Sequence, residues 1–205
     1  SMEFIKHVTK EGVVCSAGHT EASFDDVEKA IKNGLTNTTH THNAMSPHHH
    51  RNPGVITAAF YFDELFTECI CDRIHVCDNT LKTFVKVVGP DRFVMITDAL
   101  KIKNSDINEF ELFGLPCIRK DGAAYLKSGP LAGSLLTMDQ GIRNLKEVCG
   151  LSLCELAKVS ALNAARALHL KDRGEIKVGN LADFVLLDEK LHLKEVYKLG
   201  KRIDL

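Results

Sequence analysis

The sequence predicts an α/β fold built on a parallel β-sheet, and two observations support this. The chain has 205 residues, of which 44% are hydrophobic and 26% are charged, a composition typical of one globular domain or slightly more. Between residues 13 and 97, short apolar runs alternate with amphipathic stretches, as they do in a series of βαβ units. Four such units can be recognised along the chain.

Each of the four units predicts one strand and one helix. The predicted strands cover residues 13–17, 35–39, 67–71 and 92–97. The predicted helices cover residues 24–33, a stretch that begins near Gly54, residues 79–88 and residues 137–149. Ser23 and Asp26 have the spacing of an N-terminal cap for the first helix, and Gly34 can adopt the left-handed conformation that ends it.

Residues 100–130 interrupt the alternation of strands and helices. Apolar and polar residues alternate at 110–118 and again at 123–127, a pattern typical of strands with one buried face. The turn between these two stretches ends at Gly122, which tolerates the positive φ of a tight hairpin. The sequence therefore predicts a β-hairpin, inserted at about residues 108–128.

The last third of the chain returns to helices and then to strands. Ser152 and Glu155 have the spacing of a capping box, and residues 162–168 continue the helical pattern that it begins. Further on, the hydrophobic period changes to two, as in a β-strand. We therefore expect a main α/β domain over residues 3–173 and a small β-rich segment over residues 174–205.

Composition also argues against several classes of protein. The chain has 26 Lys and Arg against 27 Asp and Glu, so it lacks the cationic excess that binds nucleic acid. Its longest apolar runs, such as residues 55–62, are shorter than the roughly 20 residues that span a bilayer. Its seven cysteines include no C-x-x-C pair, and no basic-then-apolar leader opens the chain. We expect reduced thiols, a cytoplasmic location, and neither nucleic acid nor membrane as a partner.

Residues that could perform chemistry follow the predicted strands. His19 follows the first strand, His40 the second and Asp98 the fourth, while His75 lies just beyond the third. Because the carboxyl ends of parallel strands meet at one edge of a sheet or barrel, we expect these side chains to lie close together. Imidazoles and a carboxylate suit a divalent metal ion with a proton-transfer partner.

Each of these residues also has a structural interpretation. A single His at a strand end is more often solvated than a metal ligand, but its recurrence at one topological position favours ligands at His19 and His40. Asp98 could cap a helix or serve in a turn. For His75, a role in the site and a purely structural role are equally well supported. Arg51 precedes Asn-Pro-Gly and a predicted helix start, so it could bind an anion such as phosphate or be a surface residue at a turn.

Five short segments occur in order along nearly the whole chain. They are G-H-T-E-A at 18–22, T-H-T-H-N-A-M at 39–45, R-N-P-G at 51–54, I-T-D-A at 96–99 and L-A-G-S at 131–134. The most specific are T-H-x-x-N-A-M and the R-x-P-G that begins eight residues after its Asn. Together these segments resemble those of the N-acetylglucosamine-6-phosphate deacetylases of the amidohydrolase superfamily.

The resemblance implies a fold and a set of residue roles. The fold would be the second half of a TIM (β/α)8 barrel, strands five to eight, with the hairpin insertion and part of a small C-terminal β-sandwich. His19 and His40 would bind the metal, and Asp98 would be the catalytic carboxylate. The residues that would bind the sugar phosphate are Asn43, Ala44, Arg51, His75 and the backbone of Leu131, Ala132 and Gly133. In this family the equivalent of Arg51 often reaches across a dimer interface.

The implied reaction is hydrolysis of the acetamide of N-acetylglucosamine 6-phosphate, which gives glucosamine 6-phosphate and acetate. The implied cofactor is a divalent metal ion, with zinc expected and iron or another divalent ion as alternatives. The substrate is therefore an amino-sugar phosphate. Two other hypotheses stay open: a catalytically silent remnant that binds sugar phosphates, and an amidohydrolase that acts on a different amide.

The length of the chain predicts an incomplete barrel. A complete (β/α)8 barrel takes about 250 residues, and only four of its eight units are present here. The acidic metal ligand that the family contributes from its first half has no counterpart before His19. Two sheet edges and a strip of apolar surface would be exposed, so we expect either a homodimer or complementation by a separate N-terminal half.

Overall fold

Four parallel strands form the sheet that the sequence predicts, in a computed structural model that describes residues 1–204. They are β1 (Cys15–Ala17), β2 (Leu35–Thr38), β3 (Phe66–Ile70) and β4 (Phe93–Ile96), and they pair in this order. Parallel neighbours need a crossover between them, and a helix lies between each successive pair of strands. The predicted α/β class is confirmed.

The helices lie close to their predicted positions, with one addition. They are α1 (Met2–Lys10), α2 (Phe24–Ile31), α3 (Val55–Tyr61), α4 (Asp78–Val88), α5 (Met138–Cys149), α6 (Leu153–Ala157) and α7 (Asn163–Ala167), with a π-helical turn at Lys158–Leu162. The two predicted capping boxes are present: the Ser23 hydroxyl accepts the Asp26 N–H, and the Ser152 hydroxyl accepts the Glu155 N–H. These caps satisfy N–H groups that would otherwise be unpaired at the helix start.

Helix α1 has no counterpart in the sequence prediction. It is nine residues long, a length at which a helix is marginal in isolation, so it depends on packing. Met2 and Ile5 supply that packing against a buried cluster that includes Val27 and Leu35. Met2, Ile5 and Val8 recur at helical spacing, so the amphipathic pattern of α1 is present in the sequence and the prediction overlooked it.

Two buried clusters form the core. The first lies between β3, β4 and the helices α4 to α6, and includes Phe84, Phe93 and Leu145. The second lies between β1, β2 and the helices α1 to α3. Both clusters hold the parallel sheet against its helices, so the strand ends that carry the candidate site rest on a packed layer.

The inserted segment is a four-stranded antiparallel sheet, and the prediction of a single hairpin is wrong in this respect. Its strands are β5 (Glu109–Leu112), β6 (Leu115–Lys120), β7 (Ala123–Leu126) and β8 (Leu131–Ser134). The single strand predicted over 110–118 is divided by a turn at Phe113 and Gly114, whose φ angles are 51° and 81°. Phe is uncommon in turns, so the sequence here has the alternating pattern of one continuous strand.

The end of the chain forms a three-stranded antiparallel sheet, as the change of period indicates. Its strands are β9 (Phe184–Leu187), β10 (Leu193–Lys198) and β11 (Lys201–Ile203). Several apolar side chains of β9 are exposed. All seven cysteines are free thiols. Within the described part of the chain, no helix has the length and hydropathy needed to cross a membrane.

Candidate active site

Three of the four parallel strands are followed by a residue in an unusual backbone conformation. His19, His40 and Asp98 have φ angles of 46°, 33° and 48°. Residues other than glycine rarely adopt this left-handed conformation, which costs about 1–3 kcal/mol and persists only where the surrounding structure holds it. The chain therefore turns in the same way after β1, β2 and β4, at the carboxyl edge of the sheet.

The two predicted metal ligands lie next to each other. The ring centroids of His19 and His40 are 4.8 Å apart, with the rings at 80° to one another. The loops that carry them are joined by hydrogen bonds from the Thr20 N–H to the Ala44 carbonyl and from the Ser46 N–H to the Thr20 carbonyl. His40 is buried, and its Nδ1 atom has no hydrogen-bond partner in residues 1–204.

Glu68 lies between His40 and Asp98, and sequence reasoning missed it. Its Oε2 atom accepts the backbone N–H of His40 at 3.3 Å. Burial raises the pKa of the Glu68 carboxyl above its ordinary value; the N–H group and the charge of His40 oppose this, and the Asp98 carboxylate adds to it. The signal that could have found Glu68 is a charged residue within the apolar run F-T-E-C-I-C.

The loop after His40 carries two of the predicted substrate-binding residues. Both the backbone N–H and the side-chain Nδ2 of Asn43 donate to the His40 carbonyl, at 3.0 and 3.2 Å. Ala44 has a φ of 50°, and its carbonyl accepts the Thr20 N–H. Asn43 and Ala44 therefore lie in the same cluster of loops as the two imidazoles.

His75 is paired with Asp72, a second residue that sequence reasoning missed. Nδ1 of His75 lies 2.6 Å from Oδ2 of Asp72, and both side chains are buried. Burial raises the pKa of the Asp72 carboxyl, but hydrogen bonds from the His75 ring and from the N–H groups of Ile74 and His75 lower it by more, so it falls below its ordinary value. Asp72 is therefore an anion at neutral pH.

Strand β8 lies beside Asp98. The Asp98 carbonyl accepts the Ser134 N–H at 3.4 Å, and the Leu100 N–H donates to the Ser134 carbonyl at 2.9 Å. Gly133 has a φ of 152°, and a Cβ atom there would lie 2.9 Å from Cγ of Leu100, so only glycine fits. Leu131, Ala132 and Gly133, whose backbone is predicted to bind the sugar phosphate, thus belong to a strand whose end is hydrogen-bonded beside Asp98.

Arg51 lies in an exposed loop between the turn at His40 and α3. The Phe24 N–H donates to the Pro53 carbonyl at 2.9 Å, which ties the loop to the start of α2. The loop also meets Ser46 so closely that a Cβ atom at Gly54 would lie 2.3 Å from its Oγ. The Arg51 side chain forms no hydrogen bond or ion pair with any residue that the structure describes.

The donor atoms fit part of a metal site. Imidazole is a preferred ligand of zinc and of iron, and His19 and His40 supply two. Within residues 1–204, no group of three or more His, Cys, Asp or Glu side chains is arranged to hold a metal ion. The pair therefore fits two ligands of a larger set.

Comparison with known proteins gives one consistent result. The model of the amidohydrolase family matches residues 2–203. The N-acetylglucosamine-6-phosphate deacetylase of Lysinibacillus sphaericus is 36% identical over 200 residues, which are 98% of this chain and 52% of that protein. The chain therefore spans about half the length of this curated relative.

Two solved structures are similar over nearly the whole chain. The N-acetylglucosamine-6-phosphate deacetylase of Thermotoga maritima has a TM-score of 0.94 at 37% identity, covering 98% of this chain and 56% of that one. A mutant of the Mycobacterium smegmatis deacetylase in complex with N-acetyl-D-glucosamine-6-phosphate has a TM-score of 0.92 at 32% identity, covering 98% and 54%. The similarity again stops at about half of each relative.

Proposed function

This chain belongs to the amidohydrolase family, and we propose that it supplies the second half of the barrel and of the active site of an N-acetylglucosamine-6-phosphate deacetylase. The observation that carries the proposal is the meeting of His19 and His40 at one sheet edge, with Glu68 bonded to the His40 N–H and near enough to Asp98 for their charges to interact. The similarity to deacetylases over 98% of the chain supports the choice of reaction.

His19 and His40 would hold a divalent metal ion, which we take to be zinc, with iron or another divalent ion as alternatives. The buried Nδ1 of His40 supports this, because a buried polar atom without a partner is costly unless a ligand satisfies it. When bound, such an ion polarises the amide carbonyl and makes water more acidic. A carboxylate from outside this chain would complete the set of ligands.

Asp98 would move the proton that amide hydrolysis requires. Its carboxylate accepts a proton from the attacking water and then gives it to the departing amine, because an unprotonated amine leaves poorly. Its exposed position at the sheet edge allows contact with a bound substrate. Glu68 holds the neighbouring His40 turn in place through its hydrogen bond to the backbone.

The remaining predicted residues would bind the sugar phosphate. Asn43, Ala44, His75 and the backbone of β8 lie along the same sheet edge and would orient the sugar. The Arg51 guanidinium has the geometry to bind a phosphate through two hydrogen bonds. Because Arg51 is exposed and its side chain pairs with no described residue, we propose that it acts in an assembled protein, on the substrate of a partner copy.

An apolar surface beside β1 supports an assembly. An open groove of about 550 Å³ lies between α1, β1 and α2. At its rim, Phe4 and Val13 are 66% and 53% exposed. Strands β1 and β4 each have one partner strand in the described sheet, so both outer edges are free there. We propose that an N-terminal barrel half, or a second copy of this chain, covers these surfaces.

The experiment measures acetate release from N-acetylglucosamine 6-phosphate with added zinc. The chain is tested alone and mixed with the first half of the Lysinibacillus sphaericus deacetylase, because the missing ligand would come from that half. We expect activity in the mixture, and its loss in His40→Asn and Asp98→Asn. Absence of turnover and of sugar-phosphate binding in every sample would contradict the proposal.

A second candidate function is sugar-phosphate binding without turnover. It is favoured by the absence of a third metal ligand among the described side chains. Calorimetry distinguishes the two candidates, since this one predicts binding of the sugar phosphate by the chain and no acetate release even in the mixture.

A further inference from the structure

Asp72 and His75 form a buried pair at the sheet edge that carries the candidate site. Their side chains are 3% and 8% exposed, and Oδ2 of Asp72 lies 2.6 Å from Nδ1 of His75. The register of β3 and β4 pairs Ile70 with Ile96, and Asp72 and Asp98 each lie two residues further along. The pair therefore follows β3 at the same level at which Asp98 follows β4.

The Asp72 carboxylate fixes the position of a proton on His75. An ionised carboxylate only accepts hydrogen bonds, so Nδ1 carries the proton, and in the neutral ring Nε2 keeps its lone pair. Nε2 forms no hydrogen bond within the described chain and is not fully enclosed by it. It is therefore an acceptor open to a ligand.

The turn that carries His75 is anchored on both sides. Oδ1 of Asp72 accepts two backbone N–H groups of the turn, at 2.9 and 2.8 Å. Arg73 binds the carboxylates of Asp78, at 2.7 Å, and Glu147, at 3.0 Å. An imidazole held in this way has little freedom to rotate, so its Nε2 atom points in one direction.

We propose that Asp72 is a positioning residue, which keeps the Nε2 lone pair of His75 turned toward the substrate as an acceptor for a sugar hydroxyl. The choice of ligand rests on the proposed function, in which His75 contacts an amino-sugar phosphate. A hydroxyl is the fitting partner because a neutral imidazole with its proton on Nδ1 can only accept at Nε2.

The variant Asp72→Asn separates the two roles of the carboxylate. Its Oδ1 atom still accepts the two backbone N–H groups, but an amide NH2 replaces Oδ2 and donates instead of accepting. Nδ1 of His75 must then become the acceptor, and the proton moves to Nε2. Nitrogen chemical shifts of ¹⁵N-histidine-labelled protein, recorded where the rings are neutral and assigned with His75→Gln, report the tautomer.

We expect the proton on Nδ1 in the wild type and on Nε2 in Asp72→Asn. The matched control is Asp188→Asn, because Oδ1 of Asp188 also accepts two backbone N–H groups but lies 3.5 Å from Nδ1 of the exposed His192. This control should leave the His75 signals unchanged. A wild-type proton on Nε2 overturns the proposal, as does an unchanged tautomer in a folded Asp72→Asn.

Titration with N-acetylglucosamine 6-phosphate tests the ligand. In the wild type the Nε2 signal should shift. Asp72→Asn should weaken binding about tenfold, because Nε2 then becomes a donor and the sugar hydroxyl loses the acceptor for its own proton and must rotate to accept instead. Equal or tighter binding by Asp72→Asn would overturn the acceptor role. If the tautomers behave as expected but no sugar phosphate binds, the proposed function fails while the control of His75 by Asp72 is supported.

Discussion

The parallel sheet and the C-terminal sheet bury their apolar residues to very different degrees. Phe93 in β4 and Cys69 in β3 are completely buried, under α4 and α5. In β9, Phe184 and Val185 are 38% and 50% exposed. Both stretches have the apolar composition of strands, so composition alone does not decide what covers them.

The difference shows which of the two sheets is covered by helices of this chain. The helices that follow each parallel strand cover it, because crossover connections bring them there. The C-terminal sheet has no such helix, and within the described residues it pairs only with itself. We infer that the parallel sheet carries most of the stability of the chain.

The largest expected difference in stability between the two sheets comes from placing a lysine in one strand of each. Met95→Lys in β4 buries an ammonium in the first core cluster and should cost about 4 kcal/mol or more, enough to unfold many domains. Val185→Lys in β9 should change stability by no more than about 0.5 kcal/mol. It should also reduce self-association. Urea unfolding and light scattering measure both, and similar losses for the two variants would contradict the comparison.

A smaller effect is expected from removing one aromatic ring in each region. Phe84 is completely buried and packs edge-to-face on Phe93, with ring centroids 5.1 Å apart, so Phe84→Ala should cost about 3–5 kcal/mol. Phe184 stacks on Tyr197 at 4.6 Å but is partly exposed, so Phe184→Ala should cost about 1 kcal/mol. Urea midpoints that fall equally would show that the C-terminal sheet is as well packed as the parallel one.

Much of the parallel sheet could be predicted because its signals are local. The apolar run that forms β4 and the capping pair of Ser23 and Asp26 can be read without knowledge of distant residues. Helix α1 also has a local signal, the helical spacing of Met2, Ile5 and Val8, which the prediction overlooked. The turn at Phe113 could not be predicted, because Phe is not a typical turn residue.

The candidate site was predictable at its strand ends and not within its strands. The position of His19, His40 and Asp98 after a strand indicates them, because the ends of parallel strands converge. Glu68 lies inside β3, and its partner is a backbone N–H 28 residues earlier in the chain. Asp72 is close to His75 in sequence, but their contact needs the left-handed φ of 67° at Arg73, which the residue type does not suggest.

The smallest effect concerns Glu68, the single charged residue within the four parallel strands. The C-terminal sheet, in contrast, carries several charges on exposed strands. Because the pKa of Glu68 is raised in the folded chain, its ionised form destabilises the fold. Glu68→Gln should therefore be more stable than the wild type at neutral pH. Its advantage should shrink as pH falls through the raised pKa and vanish below the pKa of the unfolded chain, as urea unfolding at several pH values would show.

The variant Glu68→Ala separates the charge from the hydrogen bond. Gln retains an oxygen that can accept the His40 N–H, whereas Ala leaves that buried donor without a partner, at a cost of about 1 kcal/mol or more. Glu68→Ala should therefore be less stable than Glu68→Gln at every pH by a similar amount, since the lost bond does not titrate. If the two variants have the same stability, the carboxylate acts on the fold through its charge alone, and the turn at His40 is held by other contacts.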